Sequence, residues 1–179
     1  MQPRRLLLPL AILFGAGAPL PAHAALEMFL CVAGMAGDAT SSGFSGCSNV
    51  VSQSENEFVD GSAPLPRDLR VTKQFDRMSP SLREALAAGT AITEASLRIR
   101  RASADPFVFW TVRLLDVRVT AVGFAAHVDD ALVLESVALR GARIEWSHRR
   151  QDASGALLPP TVVCWNVAAQ TATAGPCPP

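Results

Sequence analysis

Three observations predict a mainly β fold with one short α-helix for this 179-residue chain. Apolar and polar residues alternate over several runs, the period of a half-buried strand. A single segment, Ser79-Pro80 to Gly89, is punctuated as a helix. The strand-like runs are separated by polar or glycine-containing turns.

Strands are expected near residues 26–33, 45–53, 68–75, 92–101, 106–122, 131–147 and 161–168. In the first, Met28, Leu30 and Val32 share a phase that leaves Cys31 out. Gly37 to Gly43 follows as a flexible polar connection. After the second strand, Ser54 to Arg67 has no sustained period and contains Pro64 and Pro66, so it reads as a long loop. Its central apolar pair, Phe58 and Val59, with Asp60 beside them, makes it a candidate interaction loop. Leu69 and Val71 then alternate with Arg70 and Thr72. Ser79 can cap a helix and Pro80 suits its first position, where a missing N–H loses no partner. Leu82, Ala85 and Leu86 form a narrow apolar stripe, and Gly89 permits the left-handed turn that ends the helix.

Beyond the helix, Ala95, Leu97 and Ile99 alternate with Ser96, Arg98 and Arg100. In the long central strand, Leu115, Val117, Val119 and Ala121 alternate with Asp116, Arg118 and Thr120, giving one buried and one wet face. Phe107 to Trp110 is apolar on both parities, so that end needs cover from the helix or a neighbouring subunit. Asp129-Asp130 marks the next turn, and Gly141 reads as an isolated strand glycine at a bulge. In the last strand Val163, Trp165 and Val167 are in phase and Cys164 is not.

The order of these pieces resembles the hemolysin-coregulated protein (Hcp) family, the inner-tube protein of type VI secretion. The resemblance is carried by Lys73-x-x-Asp76-x-x-Ser79-Pro80-x-Leu82 with Ala85-Leu86-Ala87 and Gly89. It continues in Ala25 to Leu30, Gly34-Met35-Ala36-Gly37-Asp38, Glu135 to Leu139, Ile144-Glu145-Trp146, Gln151-Asp152-x-x-Gly155 and Trp165-Asn166-Val167. It implies two sheets forming a small β-barrel over residues 25–169, with self-association into a hexameric ring. Rings of such subunits stack into a tube that works with type VI secretion components and holds small effectors. The loop at Ser54 to Arg67 would then project towards the next ring, and Arg98 and Arg100, which share a face, become candidates for lumen or subunit contacts.

Residues 1–24 read as a secretory signal peptide: Arg4-Arg5, an apolar run from Leu6 to Leu20, and a small-x-small Ala22-His23-Ala24. The apolar run is too short and interrupted for a membrane span, and no later stretch is long enough to cross a bilayer. Cleavage after Ala24 would leave 155 residues carrying 14 basic and 16 acidic side chains, one domain of formal charge −2. That balance argues against a nucleic-acid binder. The expected location is periplasmic or secreted. Because tube subunits of the family are ordinarily assembled in the cytosol without such a segment, the alternative is a periplasmic or extracellular binding or adhesion module on the same barrel.

In an oxidising compartment, Cys31, Cys47, Cys164 and Cys177 are disulfide candidates, and four cysteines allow three complete pairings. Cys177 lies in the Pro-rich tail, residues 170–179, which is expected to be flexible unless that cysteine is bonded. No pair has the close spacing of a zinc site, and His127-x-Asp129-Asp130 reads as a solvated turn. No metal or cofactor is expected. Nor is an enzyme: Gly43-Phe44-Ser45-Gly46 falls short of a nucleophile elbow, and strand parity places Glu145 and Ser147 on the face opposite His148.

Overall fold

The computed structural model describes residues 25–60, 62–103, 106–126, 128–129 and 131–178, and side chains within these except for 56–60, 62–67 and 125. The expected signal segment, His127 and Asp130 lie outside the described residues. The strands are β1 (Leu26–Val32), β2 (Ser48–Asp60), β3 (Ser62–Gln74), β4 (Ile92–Arg101), β5 (Val108–Ala125), β6 (Leu134–His148), β7 (Thr161–Asn166) and β8 (Thr171–Ala174), with α1 (Met78–Ala88) between β3 and β4.

All pairings are antiparallel, in the order β3-β2-β1-β4-β5-β6, and a further β3–β6 pairing closes these six strands into a barrel. Closure removes the sheet edges that open strands leave exposed. β6 divides its second edge: Leu134–Leu139 pairs with β3, and Arg143–His148 pairs with β7, which carries β8 outside the barrel. Gly141 sits at that division opposite Val117 with no register break; the bulge lies instead between Val119 and Ala121.

Alternation decides which residues fill the barrel, with one correction: β5 changes phase at Asp116 (φ 53), so Leu114 and Val117 join the interior while Leu115 packs with Cys164 and Cys177. Leu30, Val32, Val50, Leu69, Val71, Ala95, Leu97, Val112, Leu114, Val117, Leu139 and Ile144 form one buried cluster with Met78, Leu82 and Ala85 of α1. At roughly 1.5–3 kcal/mol per buried large aliphatic side chain, this cluster dominates the favourable side of folding.

The helix begins earlier than the sequence suggests. Arg77 already has helical dihedrals (φ −55, ψ −27), so Asp76 is the effective cap. Its Oδ1 accepts the Met78 N–H at 3.0 Å, and Ser79 Oγ accepts the Asp76 N–H at 3.0 Å, a reciprocal capping arrangement. Ser79 therefore lies inside the first turn, and Pro80 after it. The missing Pro80 N–H leaves the Asp76 carbonyl free to accept from Ser79 N–H at 3.0 Å. Gly89 ends the helix at φ 61, as its position predicts.

Two other expectations are corrected. Ser54 to Arg67 is not a loop but most of the β2–β3 hairpin, turning between Asp60 and Ser62 through register shifts near Glu55 and Phe58. Those bulges hide the period-2 signal. Pro64 and Pro66 are tolerated because β3 pairs with β6 only over Leu69–Gln74, leaving an open side where no N–H is needed. Gly37 to Gly43 is a packed connection rather than a flexible one. Ala39 and Phe44 are buried, Gly37 N–H donates to the Gly46 carbonyl at 2.6 Å, and Ala39 N–H donates to that of Cys47 at 2.8 Å. A Cβ at Gly37 would collide with the Cys47 carbonyl, so the close approach requires glycine.

Near Phe107 to Trp110, cover comes from elsewhere than the helix: Val108 packs on the Phe29–Phe44 cluster, Trp110 on the barrel interior, and Arg101 lies over Phe109 at 5.8 Å. α1 instead meets β5 where the Arg118 guanidinium donates to the Gly89 carbonyl. Lastly, the tail contains β8, and Cys177 is bonded.

Candidate functional site

Strand parity gives the barrel wall an outer face on which β1, β4, β5, β6 and β7 line up in rows. One row runs Phe29, Arg98, Thr111, Ser147, Val162; the next runs Cys31, Ser96, Arg113, Glu145, Cys164. The two disulfides stand at the ends of that second row. Cys31 bonds Cys47, with Cα atoms 4.4 Å apart, and Cys164 bonds Cys177, at 5.0 Å. Of the three open pairings, the fold selects the one joining nearest neighbours in sequence. Both cysteines that fall out of phase with the core do lie off the core face.

Each disulfide holds a segment down. On one side the 37–47 connection lays Phe44 on Phe29, ring centroids 4.1 Å apart, with Ala39 and Cys47 buried beside them. On the other, Cys177 packs with Cys164 over Leu115, and its N–H donates to Glu145 Oε2 at 2.9 Å.

The two predicted contact arginines part company here. Arg100 is spent within the chain: its Nε donates to Glu27 at 2.6 Å, NH1 donates to the Ser42 carbonyl at 3.3 Å, and its guanidinium caps both stacked rings at 5.2 and 5.0 Å. Arg98 stays on the outer face and lines a shallow cleft of about 310 Å³ with Thr111, Arg113, Glu145, Ser147 and Arg149. Phe58, Val59 and Asp60 lie near the hairpin turn on β2, far along the chain from both arginines; their side chains are outside the described set.

Arg113 is clamped between Glu94 at 2.8 Å and Glu145 at 3.3 Å. The Glu94 hydrogen bond, more than the opposing desolvation, raises its pKa above the usual arginine value. Glu145 thus serves Arg113 and the tail, while His148 faces the other way beside Trp110, ring centroids 6.2 Å apart. Among the described residues no group of three or more His, Cys, Asp and Glu is placed to hold a metal ion. No helix among them is long and apolar enough to cross a membrane.

Two features escaped the sequence reading. The first is a buried ionic knot. Lys73 Nζ, with its side chain fully buried, donates to Asp76 at 2.7 Å, the Gln74 carbonyl at 2.8 Å and Ser79 Oγ at 3.3 Å, and pairs with Glu135 at 2.8 Å. Ser79 Oγ also donates to Glu135 Oε1, and Arg83 reaches Oε2 at 2.7 Å. Burial alone would raise the Glu135 and Asp76 pKa values; the hydrogen bonds from Lys73, with those from Ser79 and Arg83 to Glu135 and from Ser48 and Met78 to Asp76, outweigh it and hold both carboxyls below their ordinary range. These are the motif residues Lys73, Asp76 and Ser79, and what they do is fasten α1 to β3 and β6.

The second is an exposed apolar patch. Phe75 and Phe124, 46% and 60% exposed, meet edge to face at 6.0 Å, with Arg83 5.3 Å from each ring and exposed Leu132 and Val133 nearby in sequence on the approach to β6. The Phe75 N–H donates to the Val133 carbonyl at 2.9 Å, which fixes these segments together.

Comparison with known proteins agrees with this architecture. The family described as "Type VI secretion system effector, Hcp" matches residues 29–148. Protein hcp1 of Pseudomonas aeruginosa is 30% identical over 91 residues, which is 50% of this chain and 56% of that protein, so the chain spans little more than half of that curated relative. Among solved structures, Hcp1 from Salmonella typhimurium has a TM-score of 0.70 at 21% identity, covering 83% of this chain and 99% of that one. Secreted protein Hcp3 from Pseudomonas aeruginosa has a TM-score of 0.58 at 18% identity, covering 80% and 98%. These likenesses concern the fold. With the barrel, helix α1 and the matched residues together, the chain belongs to the Hcp family of type VI secretion.

Proposed function

We propose that this chain is an exported Hcp-type structural subunit that associates with copies of itself into rings or a tube, with a lumen able to hold small effector proteins. The observation that supports this most is the family match across most of the closed barrel. The exposed Phe75–Phe124 patch adds to it, because clustered apolar side chains on a barrel end are suited to contact with another protein surface. Export follows from the sequence reading, with cleavage after Ala24. Self-association would use the β2–β3 hairpin and the outer face carrying Arg98; Arg100 would contribute by shaping that face.

Light scattering on size-exclusion chromatography, followed by electron microscopy, tests assembly: a ring-sized particle is expected. Cell fractionation with and without the secretion apparatus tests the route, and release that ignores the apparatus would refute a tube role. The second reading, a periplasmic or extracellular binding or adhesion module, is favoured by the two disulfides, which fit an oxidising compartment better than the cytosol. A monomer under all conditions would select it.

A further inference from the structure

The cleft on the outer face has chemistry of its own. Its lining holds three guanidinium groups, of Arg98, Arg113 and Arg149, against one carboxylate, Glu145. Arg113 and Glu145 are already committed, to each other, to Glu94 and to the Cys177 N–H. Arg98 and Arg149 differ: among the described residues neither side chain has a hydrogen-bond or ion-pair partner, so both present unspent donors. The hydroxyl residues Thr111 and Ser147 continue the Arg98 row, and Arg149 follows two residues beyond Ser147.

A second, independent observation concerns the apolar rim. β4 and β5 lose register between Ile99 and Arg100: Ile99 pairs with Trp110 but Arg100 with Val108, so Phe109 is the extra, unpaired residue of a bulge. Bulges re-aim side chains, and this one places Val108 and Phe109 together in the cleft lining, with the Arg149 N–H tied to the Phe109 carbonyl at 2.9 Å. The borders are braced as well, since the two disulfides pin covalent loops at either end of the adjoining row.

We propose that this cleft is a docking site for a glutamate-bearing segment of a partner protein. The carboxylate would be held by Arg98 and Arg149 in charge-assisted hydrogen bonds, with Thr111 and Ser147 donating beside it, while the glutamate methylenes lie on Val108 and Phe109. A planar guanidinium pair suits a carboxylate, and the apolar rim favours an anion on a hydrocarbon stem over a bare inorganic one. Because subunit contacts through the Arg98 face would cover the same cleft, a glutamate-bearing partner and a neighbouring subunit would compete for it.

The test is fluorescence anisotropy of a labelled hexaglutamate peptide titrated with the full mature chain, disulfides intact. Saturable binding is expected, weakening when salt is raised because the arginines are partly exposed. Arg149→Gln, at an exposed position that keeps the fold, should weaken it by about tenfold, and Arg98→Gln with Arg149→Gln further. Arg70→Gln, which removes the same charge from exposed β3, should leave affinity unchanged. Hexaglutamine should not compete. Absence of binding, or equal losses in Arg70→Gln and Arg149→Gln, would overturn the proposal; competition by inorganic phosphate at the same concentration as the peptide would overturn it in favour of a free-anion site.

Discussion

Lys73 and Glu135 stand directly opposite each other on β3 and β6, Nζ to Oε1 at 2.8 Å, and both side chains are completely out of water. This pair sits at the seam that closes the barrel and beside the first turn of α1. Lys73→Met would leave Glu135 and Asp76 buried with less counter-charge, which costs on the order of 3–5 kcal/mol. The combined Lys73→Met and Glu135→Leu change should cost less than Lys73→Met alone. Urea unfolding of the two variants checks this.

Acid should act through the same knot and through Asp68, which Thr120 and Arg140 hold on a neighbouring part of the wall. The folded-state pKa values of Asp68, Asp76 and Glu135 are held below their ordinary values of 3.8, 3.8 and 4.5, so each contributes stability that is present above those values and lost as pH falls through the lower folded ones. For Asp68, burial opposes the shift and the bonds from Thr120 and Arg140 prevail. Stability should be level near neutrality and fall below about pH 4.5, and Glu135→Gln should flatten the upper part of that fall. Thermal melts across pH 2 to 7, stepped by roughly half a unit, read it out.

Reduction should loosen the outer face without opening the barrel, since neither disulfide links barrel strands across the closure. Each closes a short loop, separations 16 and 13, and contributes about 3 kcal/mol on the chain-entropy account. Cys177→Ser should expose Leu115 and free Glu145 from the tail; Cys47→Ser should expose the stacked Phe29 and Phe44. Faster protease nicking confined to the tail in the first and to residues 37–47 in the second is the expected pattern.

Gly37→Ala should destabilise the chain by about 1–3 kcal/mol, because the new methyl meets backbone and cannot be relieved by a side-chain rotation. Slower closure of the Cys31–Cys47 bond on oxidative refolding, measured by thiol trapping, should accompany the loss.

If the Phe75–Phe124 patch joins subunits, Phe75→Ser with Phe124→Ser should shift the particle towards monomer on light scattering while leaving the melting temperature nearly unchanged, since both rings are substantially exposed. An unaltered particle would place the contact elsewhere.

Much of this fold is written in the sequence as alternation. Leu69 and Val71, and Leu97 and Ile99, announced their strands because one face is dry and the other wet; Leu115 to Ala121 announced a strand but not one phase, since Leu115 packs with Cys164 and Cys177 apart from Val117 and Val119, and Ala121 is exposed beyond the register shift. The β2–β3 hairpin was hidden because its register slips break the period and its prolines signal a loop. β8 was hidden because Thr171 to Ala174 is exposed throughout and exists through pairing with β7. The buried knot did leave a trace: Lys73 continues the inward phase of Leu69 and Val71, and Glu135 that of Val137 and Leu139. A charge on each of two strands, where alternation demands an apolar residue, is a pair awaiting its partner. The cleft left less, because Arg98, Thr111 and Ser147 become neighbours only once register is set.

The linkage pattern of the cysteines has a consequence for biogenesis. The first bond is complete within about the opening quarter of the chain and the second forms near its end, and neither encloses the other. A polypeptide threaded into an oxidant amino end first finds its correct mate each time by taking the next thiol to arrive, so maturation would need little shuffling by an isomerase.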